Sequence, residues 1–171
     1  MEDPFMTDAG EGFVSAVPGA ASIDSAISYA LIRGGHLDMT VLGGREVDSY
    51  GRLANWTIPG KMVPGMGGAM DLVAGARRVI VAMTHTAKGK PKLKENCSLP
   101  LTALRRVDLI VTEMAVIAPS ETGLVLRELG PGQTRESVEA ATEASLLTDG
   151  EPTKMSLRLL PLAEKGKELA P

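Results

Sequence analysis

Two short apolar runs, each preceded by a helix-like segment, constrain the fold of this 171-residue chain more than any other feature. The runs are Met39-Thr40-Val41-Leu42 and Val79-Ile80-Val81-Ala82-Met83. Before the first, apolar residues recur at helical spacing across residues 23–31; before the second, residues 69–78 are all helix-permissive. A helix between two buried strands returns the chain to the same edge of a sheet, so the alternation predicts parallel strands.

The rest of the chain adds strands of both directions. We expect a first strand at residues 13–17, a loop at 84–91, a buried strand at 107–112, an antiparallel hairpin formed by 115–117 and 124–129, and a helix at 134–142. Ser22 or Asp24 can cap the first helix, and Gly34-Gly35 can end it. The predicted fold class is α/β, with a mixed, largely parallel sheet flanked by helices.

Composition narrows the class of protein. Only 3% of the residues are aromatic, so the core must come from Val, Leu, Ile, Ala and nine Met, as in layered α/β packing. A net charge of −3 argues against a nucleic-acid partner. Cys97 is the only cysteine, which excludes an intrachain disulfide and a multi-cysteine zinc site and fits a reducing compartment. No apolar run approaches the roughly 18 residues of a membrane span. With an N-terminus unlike a signal peptide, this predicts the cytoplasm.

One loop, residues 54–72, looks like an active-site loop. Pro59 and Pro64 fix φ, while Gly60, Gly65, Gly67 and Gly68 can adopt positive φ or let another molecule approach the main chain. The last two glycines stand where the second helix is predicted to begin, and a helix start offers free N–H groups. The alternative is a purely structural helix entry.

A series of motifs in order identifies a family resemblance. The motifs are Ile32-Arg33-Gly34-Gly35-His36, Leu53-Ala54-Asn55-Trp56, Ile58-Pro59-Gly60-Lys61-Met62-Val63, Gly65-Met66-Gly67-Gly68-Ala69-Met70-Asp71-Leu72, His85-Thr86-Ala87-Lys88-Gly89 and Cys97-Ser98-Leu99-Pro100-Leu101-Thr102. Together they resemble the B subunit of the 3-oxoacid (succinyl-CoA:3-ketoacid) coenzyme A transferases, over roughly residues 8–142. The resemblance implies the fold of the ribose-phosphate isomerase and CoA-transferase group, coenzyme A as a substrate with no permanently bound cofactor, and a CoA-transferase A subunit as partner in a hetero-oligomer.

The resemblance also implies a reaction. Family enzymes use a glutamate in a Glu-Asn-Gly block as nucleophile, passing through an acyl anhydride and a glutamyl-CoA thioester. This sequence contains no Glu-Asn-Gly block, so we expect a chain shortened at its N-terminus that lacks the first strand and catalytic turn. Glu11 stands where the family motif usually has a lysine that contacts the CoA phosphates, which puts CoA binding in question.

Site residues follow from the same resemblance. It assigns an oxyanion-stabilising role to the backbone N–H of Gly68, and CoA contacts to Asn55, Lys61, Gly67 and Met70. The alternatives are that Asn55 and Lys61 are ordinary polar loop residues and that Met70 belongs to the core.

Further candidates for a role in the site are the two histidines, the single cysteine and four lysines at alternate positions. His36 and His85 are both expected near the carboxyl edge of the sheet, with His85 the better candidate to line a site, and neither is expected to bind metal. Cys97 is expected to be a buried small side chain rather than a nucleophile. Lys88, Lys90, Lys92 and Lys94 form either a solvated loop or an electrostatic patch for CoA phosphates or a partner.

We therefore expect a domain like the CoA-transferase B subunit at residues 1–147 and a C-terminal tail at 148–171. Its predicted function is to move CoA from an acyl-CoA such as succinyl-CoA to a 3-oxoacid such as acetoacetate, with no activity as an isolated chain. The alternative is a non-catalytic assembly or binding subunit that keeps the fold and the partner interface.

Overall fold

The computed structural model describes residues 3–7, 12–60 and 67–157. Its helices are α1 (Ser25–Arg33), α2 (Ala69–Gly75) and α3 (Arg135–Ala140). Its strands are β1 (Asp3–Thr7), β2 (Phe13–Val14), β3 (Met39–Gly43), β4 (Glu46–Asp48), β5 (Leu53–Ala54), β6 (Arg78–Ala82), β7 (Thr86–Ala87), β8 (Lys90–Pro91), β9 (Leu93–Lys94), β10 (Leu109–Val111), β11 (Ala115–Pro119), β12 (Leu124–Leu129) and β13 (Leu146–Lys154).

Six of these strands form the main sheet, in the order β13-β12-β11-β10-β6-β3. The pairs β3/β6, β6/β10 and β12/β13 are parallel, and β10/β11 and β11/β12 are antiparallel. From β3 through β6 to β10, each strand therefore lies beside the previous one and runs parallel to it. This confirms the predicted α/β class with a mixed, largely parallel sheet.

Three smaller sheets surround the main one. Strand β4 pairs with β5 and with β9, and β1 pairs with β2, so the predicted first strand is short and lies outside the main sheet. Strands β7 and β8 form a hairpin where the sequence predicted a plain loop. Its turn residues Lys88 and Gly89 have φ of 52° and 73°, the left-handed backbone that matches the twist of a two-residue hairpin.

Local signals set the helix ends. The Asp24 carboxylate accepts a hydrogen bond from Ile27 N at 2.8 Å, which caps α1, and Gly34 follows its last residue. Helix α3 begins with a capping box, in which the Thr134 hydroxyl accepts from Ser137 N and the Ser137 hydroxyl accepts from Thr134 N. Helix α2 has no side-chain cap and begins directly after Gly68.

The core lies between one face of the main sheet and the elements packed on it. Its buried apolar residues come from β4, β5, α2, β6, β9, β10, β11, β12 and α3 and include Val47, Leu53, Val73, Val79, Val81, Leu93, Ile110, Ile117, Leu124 and Val138. Helix α1 packs on α2 rather than on this core and has no fully buried residue. A Cβ added to Gly75 would lie 2.2 Å from the Ile32 carbonyl oxygen, so the two helices meet backbone to backbone.

The opposite face of the sheet is open at the β3 edge. Met39 and Val41 point to this face and are 44% and 60% exposed, next to half-buried Ile80 on β6. Among the described residues, no strand pairs with the outer side of β3. The chain therefore presents apolar surface along an unpaired strand edge.

The first residues of the predicted C-terminal tail lie in a strand. Strand β13 continues seven residues past Leu147, to Lys154, in parallel with β12. Its register shifts around residues 149–152, where Gly150 has a φ of 80° and Pro152 follows. This irregularity interrupts the apolar alternation, which is why the sequence pattern fades there. Residues 158–171 lie outside the described part of the chain.

None of the helices among the described residues has the length and apolar character needed to cross a membrane.

Candidate functional site

The loop after β5 is tied to the carboxyl end of β3 by one asparagine. Asn55 Nδ2 donates to the Gly43 carbonyl at 3.0 Å, and the Thr102 hydroxyl donates to Asn55 Oδ1 at 2.7 Å. Asn55 N in turn donates to Thr102 Oγ1 at 3.0 Å. Trp56 adds a bond from its indole N–H to the Leu101 carbonyl at 3.2 Å. The start of the loop is thus held against the segment around residue 101.

The other end of the loop leads into α2. Gly67 has a φ of 50°, as predicted for a glycine in this loop, with open space where a Cβ would be. Gly68 lies immediately before the helix, and its carbonyl accepts from Leu72 N at 2.9 Å. A Cβ on Gly68 would lie 3.2 Å from the Tyr29 hydroxyl oxygen, so α1 closes over this position. Met70 is half-buried in the first turn. Lys61 lies outside the described residues, as does Glu11.

A cavity of about 490 Å³ opens beside the carboxyl end of β3. Its wall combines apolar and basic side chains: Ile58, Pro91, Leu99, Arg45, Lys90, Lys92 and Lys94. Lys94 pairs with the Glu143 carboxylate at 2.8 Å, which raises the pKa of Lys94 and lowers that of Glu143. The site therefore sits where ligand sites form in open α/β sheets, outside the carboxyl ends of the strands.

One carboxylate also lines this cavity and holds its wall together. Glu46 is buried at the start of β4, and its two oxygens accept from Ser98 N at 2.7 Å, Ser98 Oγ at 2.7 Å and Leu99 N at 3.0 Å. Three donors to a single carboxylate satisfy the charge locally. The role of Glu46 is thus to fix the segment that carries Leu99.

Lys92 is a half-buried basic side chain of the cavity wall. Its Nζ donates to the Thr84 hydroxyl at 3.3 Å. Burial lowers the pKa of Lys92, with the Glu113 carboxylate acting in the opposite direction and nearby Arg45 in the same direction as burial. Of the two alternatives for the lysine series, the structure favours the patch for three members, because Lys90, Lys92 and Lys94 face one cavity. Lys88 stands apart, exposed in the hairpin turn.

The two histidines lie at opposite edges of the sheet. His36 is exposed and precedes β3, so the prediction that it lies at the carboxyl edge was wrong; the chain reaches the amino edge of the sheet as α1 ends. His85 does follow β6, but its ring is fully buried. Its Nδ1 and Nε2 lie 2.9 Å from the hydroxyls of Thr112 and Thr142. His85 is therefore a structural residue, which was the alternative to a site-lining role.

Cys97 fits the prediction that it is not a nucleophile. Burial, with the charges of Asp48 and Glu46, raises the pKa of its thiol to about 12. Its Sγ donates to the Arg52 carbonyl at 3.6 Å. Within residues 3–7, 12–60 and 67–157, the structure contains no cluster of His, Cys, Asp and Glu suited to a metal ion.

Sequence reasoning missed several residues of this site. Arg45 and Glu46 were not singled out, and no short motif marks either of them. Thr102 ends the motif at residues 97–102 but was given no role in the site. Arg45 follows the Gly43-Gly44 stop of a predicted strand, and that position is the only signal that could have pointed to it. A second cavity of about 270 Å³ is lined by residues such as Ser49, Arg106 and Thr122, and by none of the described loop residues 54–60 and 67–72.

Known proteins are similar to this chain in sequence and in fold. The family described as Coenzyme A transferase matches residues 5–141. The beta subunit of the acetate CoA-transferase of Haemophilus influenzae is 51% identical over 152 residues, which are 88% of this chain and 66% of that protein. The B subunit of the probable succinyl-CoA:3-ketoacid coenzyme A transferase of Bacillus subtilis is 51% identical over 144 residues, which are 84% of this chain and 67% of that protein.

A solved structure agrees with these relatives. The acyl-CoA transferase YdiF apoenzyme from Escherichia coli O157:H7 superposes with a TM-score of 0.70 at 25% identity, covering 84% of this chain and 33% of that chain. The present chain spans about two thirds of the length of the curated relatives it matches. The family match over residues 5–141, the identity to these relatives and the shared fold agree, and the chain belongs to the coenzyme A transferase family.

Proposed function

We propose that this chain acts as the B subunit of a transferase that moves CoA from an acyl-CoA such as succinyl-CoA to a 3-oxoacid such as acetoacetate. The observation that carries the proposal is the identity of about half to proteins named as the B or beta subunit of such enzymes, over a region that includes the whole loop. The partner we propose is a CoA-transferase A subunit, in a hetero-oligomer. A single cysteine fits a reducing compartment, and we place the protein in the cytoplasm.

The proposed chemistry is covalent catalysis by a glutamate. Its carboxylate attacks the thioester carbonyl, which expels CoA thiolate and leaves an acyl anhydride. The thiolate then attacks the glutamyl carbonyl, releasing the first acid and forming glutamyl-CoA. The acceptor carboxylate repeats the two steps in reverse order. The 171 residues contain no Glu-Asn-Gly block, so we expect no turnover from this chain as it stands.

The loop residues have a place in this scheme. We propose that the backbone N–H of Gly68 donates to the tetrahedral oxyanion, a role in which one well-placed donor is worth about 3 kcal/mol. Lys61, Gly67 and Met70 are proposed CoA contacts. Asn55 is proposed to contact CoA as well, with the amide hydrogen that the Gly43 carbonyl leaves free, while its other bonds hold the loop in place.

The test is an assay of the chain with a cognate A subunit, succinyl-CoA and acetoacetate. We expect association of the two chains on size-exclusion chromatography and no formation of acetoacetyl-CoA. Turnover that depends on this chain would contradict the expected inactivity. Failure to associate with any cognate A subunit would contradict the proposed role as its B-type partner.

A second candidate is a non-catalytic assembly or binding subunit. It is favoured by the Asn55 side chain, whose carbonyl oxygen and one amide hydrogen are already committed within the chain. Calorimetry with CoA separates the two candidates. Micromolar affinity would favour the transferase role, whereas tight association with the A subunit without CoA binding would favour the assembly role.

A further inference from the structure

Three basic side chains of the cavity beside β3 form no ion pair within the described part of the chain. Arg45, Lys90 and Lys92 line its wall, and none of the seven ion pairs found among the described residues includes them. The fourth cation, Lys94, is neutralised by Glu143. The one carboxylate in the wall, Glu46, is occupied by its bonds to residues 98 and 99. The cavity therefore has an excess of positive charge available to a ligand.

Two of these cations lie close together in a partly buried place. Arg45 follows β3 and Lys92 follows β8, both line the same cavity, and the charge of Arg45 adds to the lowering of the Lys92 pKa by burial. Placing two like charges side by side with reduced hydration is unfavourable unless an anion lies between them. Glu113 offsets Lys92 only in part, because it is engaged by the backbone N–H of His85 at 3.0 Å.

The rest of the wall favours an organic ligand over an inorganic ion. Ile58, Pro91 and Leu99 line the same cavity, and a volume of about 490 Å³ exceeds what an inorganic ion fills. A ligand with a short carbon chain and an anionic group would place the chain on these apolar residues and the charge on Arg45 and Lys92. The cavity also adjoins Gly44, directly after the strand end that Asn55 ties to the loop.

We propose that this cavity is a subsite for the second carboxylate of the donor acid, and that Arg45 and Lys92 make donor binding favour short dicarboxylates over monocarboxylates. The proposal rests on the proposed transferase function and makes it more specific, because the acetate and succinyl-CoA relatives differ in this respect. One carboxylate of the acid reacts, and the other is held by the two cations. Arg45 and Lys92 are specificity-determining residues in this assignment.

The test is a calorimetric titration of the 171-residue chain with succinate and with propionate at constant low ionic strength. We expect succinate to bind at least about tenfold more tightly than propionate. Lys92→Met, which keeps the length of the side chain, should abolish this preference, and Lys92→Arg should retain most of it. Lys88→Asn is the matched control: it removes a lysine from the same hairpin, at a position whose positive φ suits asparagine.

Several outcomes would overturn the assignment. Equal affinities for succinate and propionate, or equal losses in Lys92→Met and Lys88→Asn, would exclude a dicarboxylate subsite. Tighter binding of pyrophosphate than of succinate, lost in Lys92→Met, would assign the cavity to phosphate groups instead. Circular dichroism of each variant shows whether it is folded. Because the readout is binding by this chain alone, its result is independent of whether the complex with the A subunit turns over.

Discussion

The hydrogen bonds of His85 define its protonation state. The Thr142 hydroxyl donates to the Val138 carbonyl at 2.7 Å, so it must accept from Nε2–H. The Thr112 oxygen already accepts from Met114 N and Ala115 N, and its one proton lies within reach of both Nδ1 at 2.9 Å and the Ala115 carbonyl at 3.1 Å. A second ring proton would have no acceptor here. The ring is neutral, and burial lowers the pKa of His85, although Glu113 opposes this shift.

We predict that His85 makes the chain less stable in mild acid. The unfolded histidine has a pKa near 6.5 and takes up a proton more readily than the folded one, so the free energy of unfolding falls as pH drops below about 6.5. Urea unfolding measured from about pH 8 to pH 5 should show this slope. His85→Gln should flatten it and cost about 1–3 kcal/mol at pH 8. His36→Gln, at the exposed histidine, should keep it; the same slope in both variants would exclude His85 as its source.

Gly75 gives a prediction based on sterics. We expect Gly75→Ala to destabilise the chain by about 2–3 kcal/mol, because the new methyl group would lie 2.2 Å from the Ile32 carbonyl and the two helices would have to separate. Gly43→Ala is the control, since open space surrounds a Cβ there, and should change stability by about 0.5 kcal/mol or less. Denaturant midpoints measure both. Equal effects would show that the helix contact tolerates a methyl group.

At the scale of elements, α3 and the residues just after it contact parts of the chain that are distant in sequence. Its capping box fixes the helix start, and Thr142, two residues past its end, reaches His85 after β6. Val138 on the same helix is fully buried in the core. The segment of α3 and Thr142 is therefore fixed to the residues that follow the carboxyl end of β6.

Removing the cap should loosen this coupling. We predict that Thr134→Ala lowers the free energy of unfolding by about 1 kcal/mol, because Ser137 N loses its acceptor. Thr134→Ser keeps a hydroxyl and should lose less than half as much. Thermal unfolding followed by circular dichroism distinguishes them. If alanine and serine had the same effect, the capping bond would not be the cause.

Elements with local signals could be predicted from sequence, and those set by distant contacts could not. Helix α1 was found because Asp24 and Gly34 mark its ends, and β6 because its apolar run is uninterrupted. Strand β13 was missed in part because its place depends on pairing with β12 across a bulge. The loop was recognised by its glycines, whereas the basic cavity was not, because Arg45 and Lys92 are 47 residues apart in sequence. Only the pairing of β4 with β9 shows that they share a wall.

At the scale of the whole molecule, one face of the main sheet is packed in the core, and the other face is exposed at β3. Val41 is 60% exposed on β3, whose outer edge pairs with no strand among the described residues, and Ile27 and Leu31 of α1 are about half-exposed elsewhere on the surface. Apolar surface beside free backbone groups favours association between chains. This surface, rather than the core, should limit the solubility of the chain on its own.

We predict that Val41→Lys reduces self-association and changes the free energy of unfolding by about 0.5 kcal/mol or less, since the side chain is 60% exposed. Sedimentation velocity over a range of concentrations measures the association. Ala74→Lys adds the same charge at an exposed position of α2 and serves as control. An equal improvement in both would attribute the effect to net charge instead of the strand edge.

The intact mass of the chain after incubation with succinyl-CoA and the A subunit tests the central claim most directly. Two samples are compared: this chain, and the same chain preceded by an N-terminal segment that carries the Glu-Asn-Gly block expected of the family. We predict a covalent CoA adduct on the glutamate of that block in the extended chain and an unchanged mass for the 171-residue chain. A CoA adduct on a glutamate of the shorter chain, or none on the extended chain, would contradict it.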